Sequence, residues 1–489
     1  MTRLDDVYRP SLALATDLYQ LTMAQAYRHA GRAEEEAVFH LFFRRNPFGG
    51  GFAVACGLAR ALDYLEGFHF TDEDVAYLAG LTGNDERPLF APAFLRELEE
   101  LRLRCDVEAV PEGTVVFPYE PLVRVHGPIL HAQLVETALL NFVNFETLIA
   151  TKAARMCLAT RGDDVIDFGL RRAQGPDGGL GASRAAYVGG CSATSNVLAG
   201  RLFGLPVRGT HAHSWVMAFE TEPEAFEAWA RAQPNNGVFL VDTYDTLEGV
   251  RHAADAALRL RERGHRPIGI RLDSGDLAYL SIEARKILDA AGLPEVRIMA
   301  SNELDEHLIA SLKEQGARID VWGVGTRLVT GWDEAALGGV YKLSAVRQPG
   351  GPWLHRVKVS EQAAKTSNPG VQQVRRFSGP GGLVADVIFD EDTGLGEAPV
   401  IVDPLDPTRR KRVPEGTPFE DLLVPVVRAG RAVYVPPPLE ATRARARDEV
   451  ARLHPGITRF VNPHQYPVGL SLELHELKTR LVLEARGLE

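Results

Sequence analysis

The chain has 489 residues, more than one ordinary hydrophobic core accommodates, so we expect two or three domains. Its hydrophobic residues (45%) and charged residues (24%) are in the balance of a globular protein, and its net charge of −11 argues against a broad nucleic-acid-binding surface. The four cysteines lack Cys-x-x-Cys spacing, and we find neither a signal-peptide pattern nor the roughly 18 apolar residues of a membrane helix. We therefore expect a cytoplasmic enzyme or binding protein with no nucleic-acid or membrane partner.

The N-terminal third mixes helical and strand-like patterns. The first predicted helix has Thr16 or Asp17 as its cap and Tyr19 in its first turn. A strand at 37–45 and helices at 55–66, 72–81 and 92–104 follow. From residue 106 a two-residue alternation with intervening turn residues predicts the strands of a small β-rich domain. A long helical pattern then covers 133–161.

Between residues 163 and 330, short apolar strands alternate with amphipathic helices, which is typical of a parallel sheet covered by helices. The predicted strands are 165–168, 207–210, 238–242, 268–273, 297–300 and 321–325. In about 170 residues this pattern is most simply a (β/α) barrel, smaller or less regular than the common eightfold form.

After residue 335 the strand-like alternation returns, and closing helices are predicted at 436–453 and 470–487. The predicted fold class is therefore α/β, with an irregular (β/α) barrel beside a β-rich α/β sandwich domain built from N- and C-terminal segments. We assign residues 131–335 to the barrel and residues 1–130 and 336–440 to the sandwich domain. Residues 441–489 are expected to form a helical segment that packs on the body.

Polar residues follow all six predicted barrel strands at their C-terminal ends, where the loops of this architecture carry the active site. They are Arg171 and Arg172, then Thr210 and His213, then Asp242, Tyr244 and Asp245, then Arg271, Asp273, Ser274 and Asp276, then Asn302 and Glu303, and finally Gly323, Gly325, Thr326 and Arg327. One polar strand end is ordinary, whereas six in succession favour a functional role for His213 over that of a surface histidine.

Three of these loops suit anionic ligands. The glycines of 323–327 let backbone N–H groups approach a phosphate, although a tight turn without a ligand has the same pattern. Arg271 offers a bidentate cation beside Asp273, and the alternative is a capped helix with Arg271 in a surface ion pair. Phe168 precedes Arg171, an arrangement that suits an aromatic acid. Together they indicate one flat anionic heterocycle and one phosphorylated molecule.

Five motifs in this chain, taken jointly and in order, resemble those of the nicotinate phosphoribosyltransferase family. They are TDLYQLTM at 16–23, DFGLRR at 167–172, GTHAHSW at 209–215, IRLDSGD at 270–276 and GVGT at 323–326. The resemblance implies a type II phosphoribosyltransferase that works as a head-to-tail homodimer with shared active sites. It also implies that nicotinate and 5-phosphoribosyl 1-pyrophosphate are converted to nicotinate mononucleotide and pyrophosphate, in the nicotinate salvage route of NAD biosynthesis, with ATP hydrolysis coupled through a phosphohistidine.

The resemblance also implies a role for each matched residue. His213 would be the phosphorylated histidine, and Asp273 would lie by the ribose, where positive charge builds as pyrophosphate leaves. The residues implied for nicotinate are Phe168, Thr210 and Arg271, with Arg171 and Ser214 nearby and Tyr19 stacking from the neighbouring subunit. Those implied for the ribose phosphate are Asn302, Gly323, Gly325 and Thr326. Mg²⁺ would be carried on the phosphates of the substrates, and His211 would support its loop.

Other classes of protein share parts of this pattern. Related nicotinamide-using enzymes place an aspartate near the amide, but residues 187–200 contain no acidic residue, and a carboxylate there would repel nicotinate. Quinolinate phosphoribosyltransferases are shorter and independent of ATP, so the length of this chain and the presence of His213 disfavour that assignment. A metal hydrolase could use His211 and His213 as ligands, but it needs further histidines at the later strand ends. A non-catalytic sensor on the same fold has no use for a phosphorylatable His213.

Overall fold

The computed structural model describes residues 11–488 and divides into two compact units. The first unit combines the chain up to Thr147 with the chain from Ala336 onward, and the second is Leu148–Ala335. The domain limits inferred from the sequence stay a prediction. Among the helices of the described residues, none combines the length and the apolar character that a membrane span requires.

The first unit is rich in β-structure contributed by both parts of the chain. Its helices are α1 (Leu18–His29), α2 (Leu58–Gly67), α3 (Asp72–Ala79), α4 (Pro92–Glu100), α5 (Ile129–Leu134), the start of α6 (Glu136–Thr160), α15 (Leu439–Ala451) and α16 (Leu472–Ala485). Its strands are β1 (Glu36–Phe42), β2 (Ala53–Val54), β3 (Asp106–Ala109), β4 (Val115–Val116), β5 (Val123–Pro128), β12 (Val340–Arg347), β13 (Leu354–His355), β14 (Gln372–Gly379), β15 (Gly382–Asp390), β16 (Val400–Val402), β17 (Arg410–Arg412), β18 (Phe419–Asp421), β19 (Val424–Arg428), β20 (Arg431–Ala432) and β21 (Val468–Ser471).

Two large sheets and one small sheet organise these strands. A seven-stranded antiparallel sheet has the order β13-β12-β1-β5-β3-β19-β20, so β1 pairs with the C-terminal β12 on one side and the N-terminal β5 on the other. A six-stranded sheet has the order β17-β16-β21-β15-β14-β18, and β2 pairs with β4. At one edge of the six-stranded sheet, all three residues of β17 are exposed and basic. Both ends of the chain therefore build the β-rich unit, as predicted.

The second unit alternates strands and helices. Its strands are β6 (Asp164–Asp167), β7 (Ala193–Thr194), β8 (Val238–Leu240), β9 (Gly269–Leu272), β10 (Arg297–Ala300) and β11 (Val321–Val324). Its helices, besides the rest of α6, are α7 (Gly175–Val188), α8 (Val197–Phe203), α9 (His213–Met217), α10 (Glu222–Ala232), α11 (Thr246–Glu262), α12 (Leu277–Ala290), α13 (Glu306–Glu314) and α14 (Thr326–Val329). Amphipathic helices such as α11 bury one apolar face, here including Val250 and Leu260.

The strands of the second unit form one parallel sheet in the order β7-β6-β11-β10-β9-β8. Their amino ends surround a cavity of about 320 Å³, which is lined by residues of all six strands or their approaches and by the segment 206–210. The sheet therefore curves around a centre, and the predicted α/β class with an irregular parallel barrel is confirmed. Because the strands run in one direction, their carboxyl ends meet at one side of the barrel.

One predicted strand is wrong. Residues 207–210 form no strand, and Val207 makes only a single bridge with Thr194 of β7. The strand after β6 is instead the two-residue β7, which sequence reasoning missed. Two residues are too few for a detectable periodicity. The apolar residues Pro206 and Val207, in contrast, resemble the beginning of a strand, which explains the wrong prediction.

Candidate active site

The carboxyl end of β6 is held in place by the buried carboxylate of Asp167. It accepts hydrogen bonds from the Gly169 N–H and from the hydroxyls of Ser183 and Thr194, each at 2.8 Å. Burial raises the pKa of Asp167, although these three donors oppose the shift. The bonds connect the end of β6 to α7 and β7, and they fix the turn that carries Phe168.

Arg271, at the end of β9, is the centre of the site. Its Nε donates to Ser301 Oγ at 2.8 Å, its Nη1 to Thr210 Oγ1 at 3.1 Å, and its Nη2 to Asp273 Oδ1 at 2.8 Å. The guanidinium carbon lies 5.5 Å from the centre of the Phe168 ring. The structure thus brings together four residues that the sequence predicts for the nicotinate or ribose region. Phe168 follows β6, Thr210 precedes α9, and Arg271 and Asp273 share the end of β9.

Asp273 is held as an anion within this group. Burial alone raises the pKa of its carboxyl group, but hydrogen bonds from Ser301 and Arg271 outweigh burial, so the pKa is lowered from its ordinary value. Ser301 therefore joins Arg271 to Asp273. Sequence reasoning missed Ser301, and its position directly after β10 was the available signal.

His213 begins α9 and is partly exposed, at 39% of its side-chain area. Its Nδ1 lies 3.1 Å from Thr243 Oγ1. Its Nε2 lies 3.9 Å from Asp242 Oδ1 and 3.8 Å from Asp273 Oδ2. The imidazole is thus oriented on one side by a hydroxyl, and its other nitrogen faces two carboxylates. Thr243, the partner of His213, is the second residue, after Ser301, that sequence reasoning missed.

Asp242 connects the β8 loop to the β9 loop. Its Oδ2 accepts hydrogen bonds from the Asp273 N–H and the Ser274 hydroxyl, both at 2.7 Å. A carboxylate with these fixed partners holds Asp273 near His213, so the arrangement of all three residues is over-determined.

His211 differs from His213 in its burial and in its contacts. It is 5% exposed, its ring lies 5.0 Å from that of Trp229, and burial lowers its pKa to about 4. Its Nε2 accepts the Leu240 N–H at 3.2 Å, and its Nδ1 lies 3.3 Å from the Ala212 carbonyl. With both nitrogens engaged inside the protein, His211 supports the loop. Within residues 11–488, neither histidine belongs to a cluster of three His, Cys, Asp or Glu side chains spaced to hold a metal ion.

Three of the residues predicted for the ribose phosphate, Asn302, Gly325 and Thr326, lie on two adjoining loops. Asn302 follows β10 with a φ of +113°, a backbone region that non-glycine residues rarely adopt. Gly325 and Thr326 start α14 after β11, and Thr326 Oγ1 lies 3.3 Å from Glu303 Oε1. Arg327 donates to Asp305 at 3.0 Å, which joins the two loops again.

Gly323 is needed for packing in this structure. It lies inside β11, and a Cβ atom at this position would stand 2.7 Å from two ring carbons of Phe168. The absent side chain therefore leaves the space that the Phe168 ring fills. A direct phosphate contact at Gly323 stays a prediction.

Three predicted nicotinate residues stand outside the hydrogen-bonded group around Arg271. Arg171 and Ser214 are exposed. Tyr19 belongs to the first unit, where it is 47% exposed in the first turn of α1 next to the exposed Leu18. Burial of part of the ring and the nearby Glu136 raise the pKa of Tyr19, so its phenol stays neutral. Their roles at the site stay predictions.

Comparison with known proteins identifies the family. The chain matches the models of the nicotinate phosphoribosyltransferase N-terminal domain over residues 14–144 and C-terminal domain over residues 371–478. It is 43% identical to the nicotinate phosphoribosyltransferase of Bacillus subtilis, with 96% of this chain and 97% of that protein covered. It is also 43% identical to a nicotinate phosphoribosyltransferase of Mycobacterium tuberculosis, with 94% of this chain and 91% of that protein covered.

A solved structure agrees with this result. The crystal structure of human nicotinic acid phosphoribosyltransferase superposes with a TM-score of 0.82 and 35% identity, covering 95% of this chain and 99% of the human chain. Sequence and fold are thus similar over nearly the full length of the relatives. The chain belongs to the nicotinate phosphoribosyltransferase family.

Proposed function

We propose that this protein joins nicotinate to 5-phosphoribosyl 1-pyrophosphate, giving nicotinate mononucleotide and pyrophosphate. The observation that carries the proposal is the group around Arg271. A guanidinium has five N–H donors, and the contacts with Ser301, Thr210 and Asp273 engage one each on Nε, Nη1 and Nη2. One N–H therefore remains on each terminal nitrogen as a donor for a carboxylate.

The pyridine ring of nicotinate would then lie against Phe168. Its ring centre is 5.5 Å from the Arg271 guanidinium, so an aromatic acid can meet the cation and the ring at once. The stretch 187–200 contains no acidic residue that would repel a carboxylate. We therefore expect nicotinate to be preferred over nicotinamide, which lacks the charge, and over quinolinate, which carries two carboxylates.

Asp273 would act on the ribose. As the C1–O bond to pyrophosphate breaks, positive charge develops on the ribose ring, and the pyridine nitrogen then forms the new bond to C1. The lowered pKa of Asp273 keeps its carboxylate negative at neutral pH. A fixed anion beside developing positive charge lowers the barrier without transferring a proton.

We also propose that His213 couples the reaction to ATP. Its Nε2 would first give its proton to a neighbouring carboxylate, and its freed lone pair would then attack the γ-phosphorus, forming a P–N bond as the bond to ADP breaks. Asp242 and Asp273 are at 3.9 Å and 3.8 Å from that nitrogen. The later transfer of the phosphoryl group to water would restore the histidine. Mg²⁺ would enter bound to the substrate phosphates, and the same two carboxylates are suitable additional ligands for it.

The family resemblance extends the proposal to assembly. In a head-to-tail homodimer, Tyr19 of one chain would stack on the nicotinate bound by the other chain. The exposure of Tyr19 and Leu18 on α1 supports this role, because both side chains are accessible to a second molecule. We expect the enzyme to function in the cytoplasm.

Phosphorylation of His213 is tested with γ-labelled ATP. The wild-type protein should take up an acid-labile label on one residue, and His213→Ala should take up none. His252→Gln is a matched control, because His252 is a partly exposed histidine that pairs with Glu222 outside the site. Absence of label on the wild-type protein would rule out the coupled mechanism.

The substrate assignment is tested separately. Turnover of nicotinate, nicotinamide and quinolinate is measured with 5-phosphoribosyl 1-pyrophosphate, with and without ATP. We expect nicotinate mononucleotide as the main product and a higher rate with ATP. A preference for nicotinamide or quinolinate would contradict the proposal, and binding of nicotinate without any turnover would favour the sensor.

A further inference from the structure

A cluster of charges, buried except for one half-exposed aspartate, connects to both loops that carry the predicted phosphate residues. It consists of Lys152 and Arg155 on α6, Glu306 at the start of α13 and Asp333 after α14, and we call it the Lys152 cluster. Lys152 Nζ lies 2.8 Å from Glu306 Oε2 and 2.9 Å from Asp333 Oδ2. Arg155 Nε donates to Glu306 Oε1 at 2.8 Å. The side chains of Lys152 and Glu306 are fully buried.

Burial of these charges carries a large desolvation cost. Burial alone raises the pKa of Glu306, but Lys152 and Arg155 outweigh it, so the pKa is lowered and the carboxylate stays ionised. Well-packed apolar side chains of similar volume commonly stabilise a fold as well as a buried ion pair or better. The value of such a cluster therefore lies in the geometry that it fixes.

Each contact of Lys152 fixes a different loop. Through Glu306, Lys152 holds the start of α13 and thereby the loop 301–305, which contains Asn302. Asp305 caps α13 by accepting the Leu308 N–H at 2.8 Å, and it also accepts Arg327 Nη1 at 3.0 Å. These bonds leave the loop little freedom to shift along the axis of α13.

Through Asp333, Lys152 holds the segment that follows α14. That segment is further fixed by Arg327, whose guanidinium lies 4.9 Å from the centre of the Trp332 ring. The loop that carries Gly325 and Thr326 is therefore held by the contacts of the segment that follows α14. The loop that carries Asn302 is held by Glu306. The unusual φ of Asn302 needs such support, because a strained backbone persists only where the surroundings over-determine it.

We propose that Lys152 and Glu306 are positioning residues for the phosphate group of 5-phosphoribosyl 1-pyrophosphate. They contact no substrate. They set the separation between the Asn302 loop and the Gly325–Thr326 loop, so that donors from both loops reach one phosphate. The inference rests on the proposed function, and it adds to that function two buried residues that lie outside the five family-like motifs.

The test uses Lys152→Met and Glu306→Gln in the full-length protein, with KM measured for each substrate and with the melting temperature. We expect the KM for 5-phosphoribosyl 1-pyrophosphate to rise at least tenfold in both variants, while the KM for nicotinate changes less than twofold. If the role of these residues is purely structural, the melting temperature should fall while the ratio of the KM for 5-phosphoribosyl 1-pyrophosphate to the KM for nicotinate stays at the wild-type value. That result would overturn the inference.

A matched control lies on α13, the helix that begins at Glu306. Lys313, near the end of α13, pairs with Asp163 at 2.7 Å, close to the amino end of β6 and away from both loops. Lys313→Met should leave both KM values unchanged. A rise in the KM for 5-phosphoribosyl 1-pyrophosphate equal to that of Lys152→Met would contradict a specific positioning role.

A milder variant keeps the inference testable if the buried variants do not fold. Asp333 is 46% exposed, so Asp333→Ala removes one contact of Lys152 with less disturbance of the core. We expect its KM for 5-phosphoribosyl 1-pyrophosphate to rise about threefold, and an unchanged value would overturn the inference. Turnover by the wild-type protein is measured first: no turnover would refute the proposed function itself, whereas wild-type turnover with unaltered variants refutes only the positioning role.

Discussion

Arg271 gathers the side chains of several loops around one cation. Its partners Thr210, Asp273 and Ser301 come from separate loops, and the guanidinium is mostly enclosed, with 13% of its side chain exposed. A charge pair in such surroundings is worth more than one in water, because the local screening is weaker. We therefore expect binding of the nicotinate carboxylate to depend chiefly on Arg271.

Arg271→Ala should raise the KM for nicotinate by about 100-fold, which corresponds to about 3 kcal/mol. The KM for 5-phosphoribosyl 1-pyrophosphate should change much less. Steady-state kinetics with each substrate varied in turn check this expectation. Arg172→Ala serves as the control, because Arg172 is an exposed arginine near the same site. Unaltered nicotinate kinetics in Arg271→Ala would remove Arg271 from the binding site.

His211 makes the stability of the protein sensitive to acid. Its pKa is about 4 in the folded protein and about 6.5 in an unfolded chain. Between these values the unfolded chain binds a proton that the folded protein does not. The stabilisation from neutral His211 is therefore complete above pH 6.5 and is lost as the pH falls toward 4, by about 3 kcal/mol in all.

His211→Gln keeps an acceptor near the Leu240 N–H but cannot be protonated in this range. We expect the variant to melt below the wild type at pH 7.5, and the gap in melting temperature to close toward pH 5. Comparison of the two proteins removes the contribution of other buried histidines. A gap that stays constant with pH would show that His211 does not carry the acid sensitivity.

Sequence patterns were informative for these side chains where chemistry restricts the residue type. Arg271, Asp273 and Phe168 could be predicted, because charged and aromatic residues at strand ends are unusual enough to notice. Ser301 and Thr243 could not, because serine and threonine are common in loops. Their roles follow from the three-dimensional positions of Arg271 and His213, which no local pattern contains.

At the level of elements, β11 and the loop after β6 depend on each other through Gly323. Gly323→Ala should displace the Phe168 ring, because the added methyl would lie 2.7 Å from two ring carbons. We expect a loss of about 1–3 kcal/mol in stability and a higher KM for nicotinate. Thermal melting and steady-state kinetics measure the two effects.

Gly178→Ala is the matched control for Gly323→Ala. A Cβ atom at Gly178 meets no atom within 4 Å, and Gly178 lies in α7, where alanine is a better helix former than glycine. This variant should be as stable as the wild type or slightly more stable. Equal behaviour of the two variants would contradict the packing role of Gly323.

Element prediction succeeded where elements are long enough to show a period. The long helices α11 and α12 agree with the predicted 247–264 and 276–291 to within two residues. β7 failed because a strand of two residues has no pattern, and its partner Val207 contributes a single bridge. The parallel sheet could still be predicted, because β6 and β8 to β11 each have an apolar run of their own.

At the scale of the whole molecule, the proposed shared site makes a sharp prediction. If Tyr19 serves the site of the neighbouring chain, a mixed dimer of Tyr19→Ala and His213→Ala chains contains one site with both residues intact. When the two impaired variants are unfolded and refolded together, they should then gain, above the sum of their separate activities, up to about a quarter of the ATP-stimulated activity of the wild type, since half of the dimers are mixed and half of their sites are complete. Activity is measured before and after mixing.

The same mixture distinguishes a site shared between two chains from a site built by one chain. If Tyr19 serves a site in its own chain, every site in the mixed dimer lacks one residue, and mixing should add nothing to the sum of the separate activities. The homodimer itself is checked by the mass of each variant in solution. Tyr19→Ala should remain dimeric, because the proposed role of Tyr19 is to stack on the ligand.

The exposed basic strand β17 has a consequence for handling of the protein. The edge of a sheet offers unpaired backbone groups to any other strand, and clustered Arg and Lys side chains keep a second edge away by repulsion. Added salt shortens the range of that repulsion to about 3 Å at 1 M. Concentrated samples should therefore resist association better at low ionic strength. Crystallisation at high salt concentration should favour edge-to-edge contacts through Arg410–Arg412.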